Sequence, residues 1–199
     1  MNPNKLFIEF IGAFFLTTAV VATGNPLAIG LTLAACVYMG GHISGGHYNP
    51  AVTFAMMIAK KISAQEMLFY WIAQFVGASI AAALYFQVSG KLSPISPAAS
   101  FMGSFTYELL GTFLFISVIF AVTSDHLKGN HIYGLAIGLA LTAVAFVVGP
   151  ISGGGFNPAV AVGVNWMFNI YNQAGADLNL LLYIAAPLAG GFLASVVRK

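Results

Sequence analysis

The chain has 199 residues, of which 59% are hydrophobic and 6% are charged. A soluble domain carries about 25% charged residues, so this chain has too little charge to cover a water-facing surface, and lipid is its predicted solvent. The formal net charge of +2 indicates no nucleic-acid partner, and the single cysteine, Cys36, excludes an internal disulfide.

Six apolar stretches are each long enough to cross a bilayer as a helix, which takes roughly 20 residues. Helices are expected because backbone groups in lipid must be satisfied within the segment, and the pattern typical of barrel strands is absent from the sequence. The first stretch has no convincing small-residue cleavage site, so it is predicted to be a span rather than a removed signal. The predicted spans are 5–24, 27–45, 66–88, 102–124, 131–150 and 178–197.

Two shorter apolar segments, 50–59 and 158–168, follow a repeated tripeptide. Asn49, Pro50 and Ala51 begin the first, and Asn157, Pro158 and Ala159 begin the second. Asn is a favoured helix N-cap, and Pro suits the first helical position because its missing N–H needs no partner there. A helix of about ten residues is only ~15 Å long. Each segment is therefore predicted to be a re-entrant half-helix that penetrates to the middle of the bilayer.

The two halves of the chain repeat each other. Residues 43–46, Ile-Ser-Gly-Gly, recur as residues 151–154, and the Asn-Pro-Ala tripeptide recurs at the same offset. Glu9 in the first span has a counterpart in Glu108. We expect one domain, residues 1–199, built from repeats of about 1–90 and 100–199. Each half has three spans, an odd number, so the second half begins on the opposite side of the membrane and is inverted relative to the first.

Inversion has a chemical consequence at the midplane. It brings both half-helix N-termini together, so two positive dipole ends meet and oppose the passage of cations. The amides of Asn49 and Asn157 then donate hydrogen bonds to a passing neutral molecule. The carbonyls of the preceding Ser-Gly-Gly segments accept its hydrogens.

The basic residues indicate the orientation. Six of them lie at the chain ends or in the loops that share a side with the ends, whereas Lys91 lies on the other side. By the positive-inside rule, both termini are predicted to be cytoplasmic. The six are Lys5, Lys60, Lys61, Lys128, Arg198 and Lys199.

Residues 41–53 and 149–159 closely resemble the two signature segments of the major intrinsic protein family, the aquaporins and glycerol facilitators. The resemblance covers nearly the whole chain. It implies an all-α integral membrane protein, an aquaporin-like right-handed bundle of six transmembrane helices plus two re-entrant half-helices. It also implies a homotetramer in the cell (inner) membrane that needs no cofactor and passes water or small uncharged solutes.

One departure from the family pattern bears on selectivity. Members of the family usually place Arg directly after the second Asn-Pro-Ala, at a constriction near the outer mouth, whereas this chain has Val160. By alignment with the family, the other constriction positions look like Ile29, Ala145 and Gly154. This set predicts a wide, apolar constriction that admits glycerol, urea, ammonia or gases, or a hydrophobic gate that closes by dewetting. Ala161 stands where glycerol facilitators usually carry Asp, so the chain does not resemble a typical glycerol channel, and without the Arg it looks like an atypical member of the family.

Several other side chains have alternative interpretations. Ionisable groups inside spans indicate function by default, so Glu9 and Glu108 could relay protons, but a role in holding the half-helix loops is favoured. His47 is expected to brace the first loop or line the inner vestibule, and no metal site is expected. Residues 74–78 and 187–191 are interpreted as small-residue helix contacts.

Three classes of function remain open at this point. A passive channel is favoured, because a secondary transporter typically breaks its full-length helices and carries more charge within the membrane. The alternatives are a proton-coupled transporter that uses Glu9 or Glu108 and a non-conducting membrane scaffold of the same fold. An enzyme is not expected, since the sequence has no nucleophile–base set, phosphate loop or metal cluster.

Overall fold

The computed structural model describes residues 2–127, 129–172 and 179–198. The described residues are helical throughout their regular elements, as predicted, and six helices are long and apolar enough to cross a membrane. The α-helices are α1 (Pro3–Thr23), α2 (Pro26–Ser44), α3 (Pro50–Ile58), α4 (Ala64–Ser89), α5 (Phe101–Val122), α6 (Tyr133–Ser152), α7 (Pro158–Asn172) and α8 (Asn179–Val197), and a 3-10 turn spans Asp125–Leu127.

The predicted spans match α1, α2, α4, α5, α6 and α8 closely. The second half-helix differs, because α7 has 15 residues whereas α3 has 9. Beyond residue 168 the sequence has no Gly or Pro to stop a helix before Asn172, so the helix continues. Position 178 of the last predicted span, and Lys128 and Lys199 of the orientation argument, lie outside the described residues.

Four helices begin with the same Asn-Pro device, α7 among them, where Asn157 precedes Pro158 and its Oδ1 accepts from the Ala159 N–H. Asn2, Asn25 and Asn49 each occupy an N-cap, with proline as the first helical residue. The side-chain oxygen of each accepts a hydrogen bond from the backbone N–H two residues along the chain. This bond satisfies one of the N–H groups that have no partner within a helix. The Asn-Pro sequence thus begins both spanning helices and half-helices. The segment that precedes it determines which of the two forms.

That segment turns the chain at paired left-handed glycines. Gly45 and Gly46 have φ of 96° and 66°, and Gly153 and Gly154 have φ of 88° and 75°. Residues other than glycine rarely adopt these positive φ values, so the turn needs the two glycines of the Ser-Gly-Gly sequence. The turn ends α2 and α6 and directs the following Asn back into the bundle.

Small residues set the distances between the spanning helices. α1 packs on α4, α5 on α8, and α2 on α6. A Cβ on Gly77 of α4 would meet the carbonyl of Phe10, and a Cβ on Gly190 of α8 would meet the carbonyl of Leu109. Since lipid provides no hydrophobic force between helices, such close backbone approach is the main source of association.

The two half-helices complete the interior of the bundle. α3 contacts α8, α4 and α5, and α7 contacts α4, α8 and α1. Their first residues are buried, with Ala51 and Ala159 both 0% exposed. Large apolar side chains such as Phe7 and Val88, 61% and 81% exposed, form the outer surface. The exterior therefore suits lipid, and the half-helix starts lie at the centre.

The glycine contacts predict a stability difference within α6. A Cβ on Gly138 would meet the carbonyl of Gly30 in α2, whereas a Cβ on Gly149 would have nothing within 4 Å. Gly138→Ala is expected to lower the free energy of unfolding by about 1–3 kcal/mol through overpacking. Gly149→Ala, its matched control, should be neutral or stabilising because alanine favours the helix. Thermal unfolding in detergent measures both, and equal effects would contradict the proposed α2–α6 contact.

Candidate pore and its supporting network

The two half-helices are joined by a reciprocal pair of hydrogen bonds. The Asn49 amide Nδ2 donates to the carbonyl of Phe156 at 3.0 Å, and the Asn157 Nδ2 donates to the carbonyl of Tyr48 at 2.8 Å. Each asparagine therefore binds the residue that precedes the other asparagine. Both are buried, at 4% and 8% exposure. The midplane meeting of the two N-termini is thus a bonded junction.

The other end of each amide fixes its direction. Asn49 Oδ1 accepts from the Ala51 N–H at 2.8 Å, and Asn157 Oδ1 accepts from the Ala159 N–H at 3.0 Å. An amide that caps a helix with its oxygen must present its NH₂ group away from that helix. The capping bond consequently orients each donor toward the opposite half.

Glu9 holds the loop that leads into α3. Its Oε1 accepts from the Ser44 hydroxyl at 2.6 Å and from the His47 N–H at 3.0 Å. Its Oε2 accepts from the Tyr48 N–H at 2.7 Å and from the Gln74 amide at 2.8 Å. Glu9 is 0% exposed, and all four lone-pair directions are used. A carboxylate therefore satisfies two backbone N–H groups that the turn removes from regular structure.

Glu108 occupies the equivalent place in the second half with fewer partners. Its Oε1 accepts from the Ser152 hydroxyl at 2.5 Å and from the Gly155 N–H at 2.7 Å. Its Oε2 has no hydrogen-bond partner among the described residues, although the side chain is 0% exposed. The two carboxylates therefore hold their loops by similar bonds, but the second network is incomplete.

The backbone explains part of this difference. Tyr48 has φ of 51°, an unusual value for a side chain with a Cβ, and this conformation directs its N–H to Glu9. Such strain costs of the order of 1–3 kcal/mol and needs support from its surroundings. Gln74, which donates to both Glu9 and the hydroxyl of Thr53, supplies that support. The corresponding positions in the second half are Pro187 and Ala161, which have no polar side chain.

The sequence interpretation missed three polar residues of these networks. Gln74 lies in a segment interpreted as helix packing, and it proves to be a hydrogen-bonding member of the Glu9 network. Tyr70 and Tyr183 were given no role in holding the loops, yet their hydroxyls donate to the carbonyls of Ser44 and Ser152, the last residues of α2 and α6. A polar side chain inside an apolar span is the signal that identifies such residues.

One cavity contains all four predicted constriction residues. It encloses about 400 Å³, and Ile29, Ala145, Gly154 and Val160 line it together with Asn157. We call it the distal cavity, because it lies near the α1–α2 connection, away from the chain ends. Among the described residues that line it, Asn157 alone has a polar side chain and none is charged. The route to the junction from this side is therefore largely apolar.

A second cavity of about 480 Å³ approaches from the face that carries the chain ends. We call it the terminal cavity. Its lining is more polar and includes Lys5, His42, His47 and Lys61. The His47 ring lies 3.3 Å from the Thr53 hydroxyl and packs edge-on against Tyr70. His47 thus both contacts α3 and lines the cavity, while the described residues include no group of three potential metal ligands.

Comparison with known proteins identifies the class of this architecture. The family profile described as Major intrinsic protein matches residues 24–198. The chain belongs to the major intrinsic protein family. The match covers both Asn-Pro-Ala segments, so the resemblance drawn from the sequence is confirmed.

Two curated relatives of this major intrinsic protein are similar over almost their full length. The "Glycerol uptake facilitator protein-like 6" of Lactiplantibacillus plantarum is 37% identical, covering 98% of this chain and 97% of the relative. The "Aquaporin Z" of Brucella melitensis is 33% identical, covering 98% and 96%. An aquaglyceroporin structure from Plasmodium falciparum superimposes with a TM-score of 0.77 at 24% identity, covering 98% of this chain and 93% of that one. This likeness supports the fold.

The unequal networks predict unequal responses to amide substitution. In Glu9→Gln, the NH₂ group of the new side chain replaces one carboxylate oxygen, so it faces the two groups that donated to that oxygen. Ser44 and Gln74 can rotate away, but one backbone N–H, of His47 or Tyr48, loses its acceptor. The expected loss is about 1–3 kcal/mol of unfolding free energy. In Glu108→Gln, the NH₂ group can take the Oε2 position, so a smaller loss is expected. Thermal unfolding of the two variants in detergent tests this, and a larger loss in Glu108→Gln would refute the assigned roles.

Proposed function

We infer that this chain is a passive membrane channel for water and small uncharged solutes, with the distal cavity as a wide, apolar constriction. One observation carries the inference: Ile29, Ala145, Gly154 and Val160 line a single cavity that reaches Asn157 at the half-helix junction. The terminal cavity approaches the same region from the opposite face. The two cavities and the junction between them define the proposed permeation path.

The chemistry of the path favours neutral permeants. Two helix N-termini meet at the junction, and their dipoles raise the energy of a cation there. An amide NH₂ carries two protons, and the reciprocal bond of Asn157 uses one. The second can donate to the oxygen of a permeant. Water, glycerol and urea each supply such an acceptor.

The constriction is proposed to select weakly by size. Val160 supplies no charge and no donor at the position where relatives usually carry Arg, and Gly154 supplies no side chain. A polar ring replaces the hydrogen bonds that a water molecule loses on entering, and so favours water over larger solutes. An apolar ring offers water no such replacement, so larger neutral solutes are not at a disadvantage relative to water. Glycerol and water, after which the two curated relatives are named, are therefore the first permeants to test.

We further propose the arrangement of the chain in its membrane. The described basic residues Lys5, Lys60, Lys61 and Arg198 belong to the face that carries the chain ends, which favours a cytoplasmic location for that face. The matched bonds of Glu9 and Glu108 support an inverted repeat within a single domain. By family resemblance, four chains are proposed to assemble, each with its own pore.

Stopped-flow light scattering of proteoliposomes tests the function. Water, glycerol and urea fluxes are expected to exceed those of empty vesicles and to be independent of an imposed proton gradient. A solute flux that requires the gradient would support the proton-coupled transporter instead. Flux of none of these permeants would support a scaffold or a closed gate.

A substitution at the constriction tests its placement. Val160→Arg adds a charge and bulk to the distal cavity, so glycerol permeability is expected to fall by roughly tenfold, an added barrier of about 1.4 kcal/mol. Water permeability should fall less, because water is smaller and the guanidinium can hydrogen-bond to it. Val160→Met is the matched control, since it adds length without charge. The placement is wrong if Val160→Arg leaves the glycerol-to-water ratio unchanged.

A further inference from the structure

A third cavity, which adjoins the terminal cavity of the proposed permeation path, opens on the face that carries the chain ends. It encloses about 540 Å³ between the ends of α3, α5 and α8 and the 3-10 turn. Lys61, His126 and Arg198 line it, with Phe120 as its aromatic wall. We call it the basic cavity. Two of its hydroxyl groups already have acceptors, because Ser117 and Thr123 donate to backbone carbonyls of α5.

Two cations share one aromatic ring in this cavity. The Arg198 guanidinium carbon lies 4.8 Å from the centroid of the Phe120 ring, and the Lys61 ammonium lies 6.0 Å from it. Phe120 is 5% exposed, so the ring is a fixed platform. Each cation gains from the ring, but the two charges repel each other. An anion held between them would remove that repulsion and gain from both.

Neither Lys61 nor Arg198 forms an ion pair with a carboxylate among the described residues. The ion pair found among the described residues joins Lys5 to Glu66 at 2.9 Å and involves neither Lys61 nor Arg198. Asp125 also lines the basic cavity and has an interaction of its own. With Asp125 counted against Lys61 and Arg198, the cavity keeps a net positive charge.

The apolar surroundings indicate what kind of anion fits. Val197 lines the basic cavity and is 68% exposed, so the cavity continues onto the lipid-facing surface. Leu193 of the same helix is 41% exposed. A ligand with an anionic head and an apolar tail matches both surfaces at once. Guanidinium and ammonium groups bind phosphate oxygens strongly, and basic cavities between membrane helices suit lipid headgroups.

We propose that the basic cavity binds the phosphate group of an anionic phospholipid from the leaflet on the face that carries the chain ends. Lys61 and Arg198 hold the phosphate, and the acyl chains lie along Val197 and Leu193. Lys61 and Thr123 also line the terminal cavity, so the bound headgroup lies next to one mouth of the proposed pore. The site takes a different ligand from the pore and does not depend on the permeant.

Native mass spectrometry of the detergent-purified protein tests the site. Phosphatidylglycerol is the anionic probe, and phosphatidylcholine is the zwitterionic probe with the same tails. The wild type is expected to bind phosphatidylglycerol more tightly. The double variant Lys61→Gln, Arg198→Gln should weaken that binding by roughly tenfold or more, since each basic group contributes appreciably to anionic-lipid binding. Phosphatidylcholine binding should change little.

A second double variant controls for charge. Lys60→Asn with Lys91→Ala removes the same net charge from positions that do not line the basic cavity. Lys60 has φ of 59°, which asparagine tolerates. This control should retain phosphatidylglycerol binding, and thermal unfolding checks that both proteins are folded. Arg198→Gln alone, at an exposed position, provides the same comparison if the double variant is unstable.

Three outcomes would overturn the proposal. Equal phosphatidylglycerol affinity in the two double variants would show that Lys61 and Arg198 do not form the site. Equal affinity of the wild type for the two lipids would show that the headgroup charge is not recognised. Inorganic phosphate that displaces phosphatidylglycerol at a similar concentration would assign the cavity to a free anion rather than to a lipid.

Discussion

The structure depends on the two hydrogen bonds by which each half-helix holds the other. Neither α3, with 9 residues, nor α7, with 15, is long enough to cross a bilayer, so each N-terminus ends within the protein. Non-helical backbone at that depth is tolerated where it is buried or lines a cavity. Asn49 and Asn157 meet this requirement together, because each caps its own helix with its oxygen and binds the opposite loop with its nitrogen.

Around this junction the two halves use the same plan with different chemistry. The first half has a fully engaged Glu9 and the left-handed Tyr48, whereas Glu108 engages one oxygen among the described residues. The cavities differ in polarity in the same sense, since the terminal cavity has charged and polar walls whereas the distal cavity is largely apolar. In the proposed pore, helix dipoles exclude cations at the centre, and the distal end selects weakly.

Much of this arrangement can be predicted from the sequence, for local physical reasons. Span length, the Asn-Pro start and paired glycines each act over a few residues, so α1 to α6, α8 and the start of α7 follow directly. Gln74, Tyr70 and Tyr183 were missed because their partners lie far along the chain, so a polar side chain within an apolar span indicates that a partner exists but not which residue it is. The length of α7 was underestimated because a half-helix was assumed to stop at half a bilayer. Val160 was recognisable by its contrast with relatives, whereas its place in one cavity with Ile29 required coordinates.

The central claim concerns one pair of atoms at the junction. Solid-state NMR in lipid bilayers can measure the distance between the ¹⁵N-labelled side-chain amide of Asn157 and the ¹³C-labelled carbonyl of Tyr48, with Asn157→Asp as the subtraction control. The 2.8 Å bond between Asn157 Nδ2 and the Tyr48 oxygen predicts a nitrogen–carbon distance of about 4 Å. A distance well beyond about 6 Å, outside any direct hydrogen bond, would contradict the junction and the pore built around it.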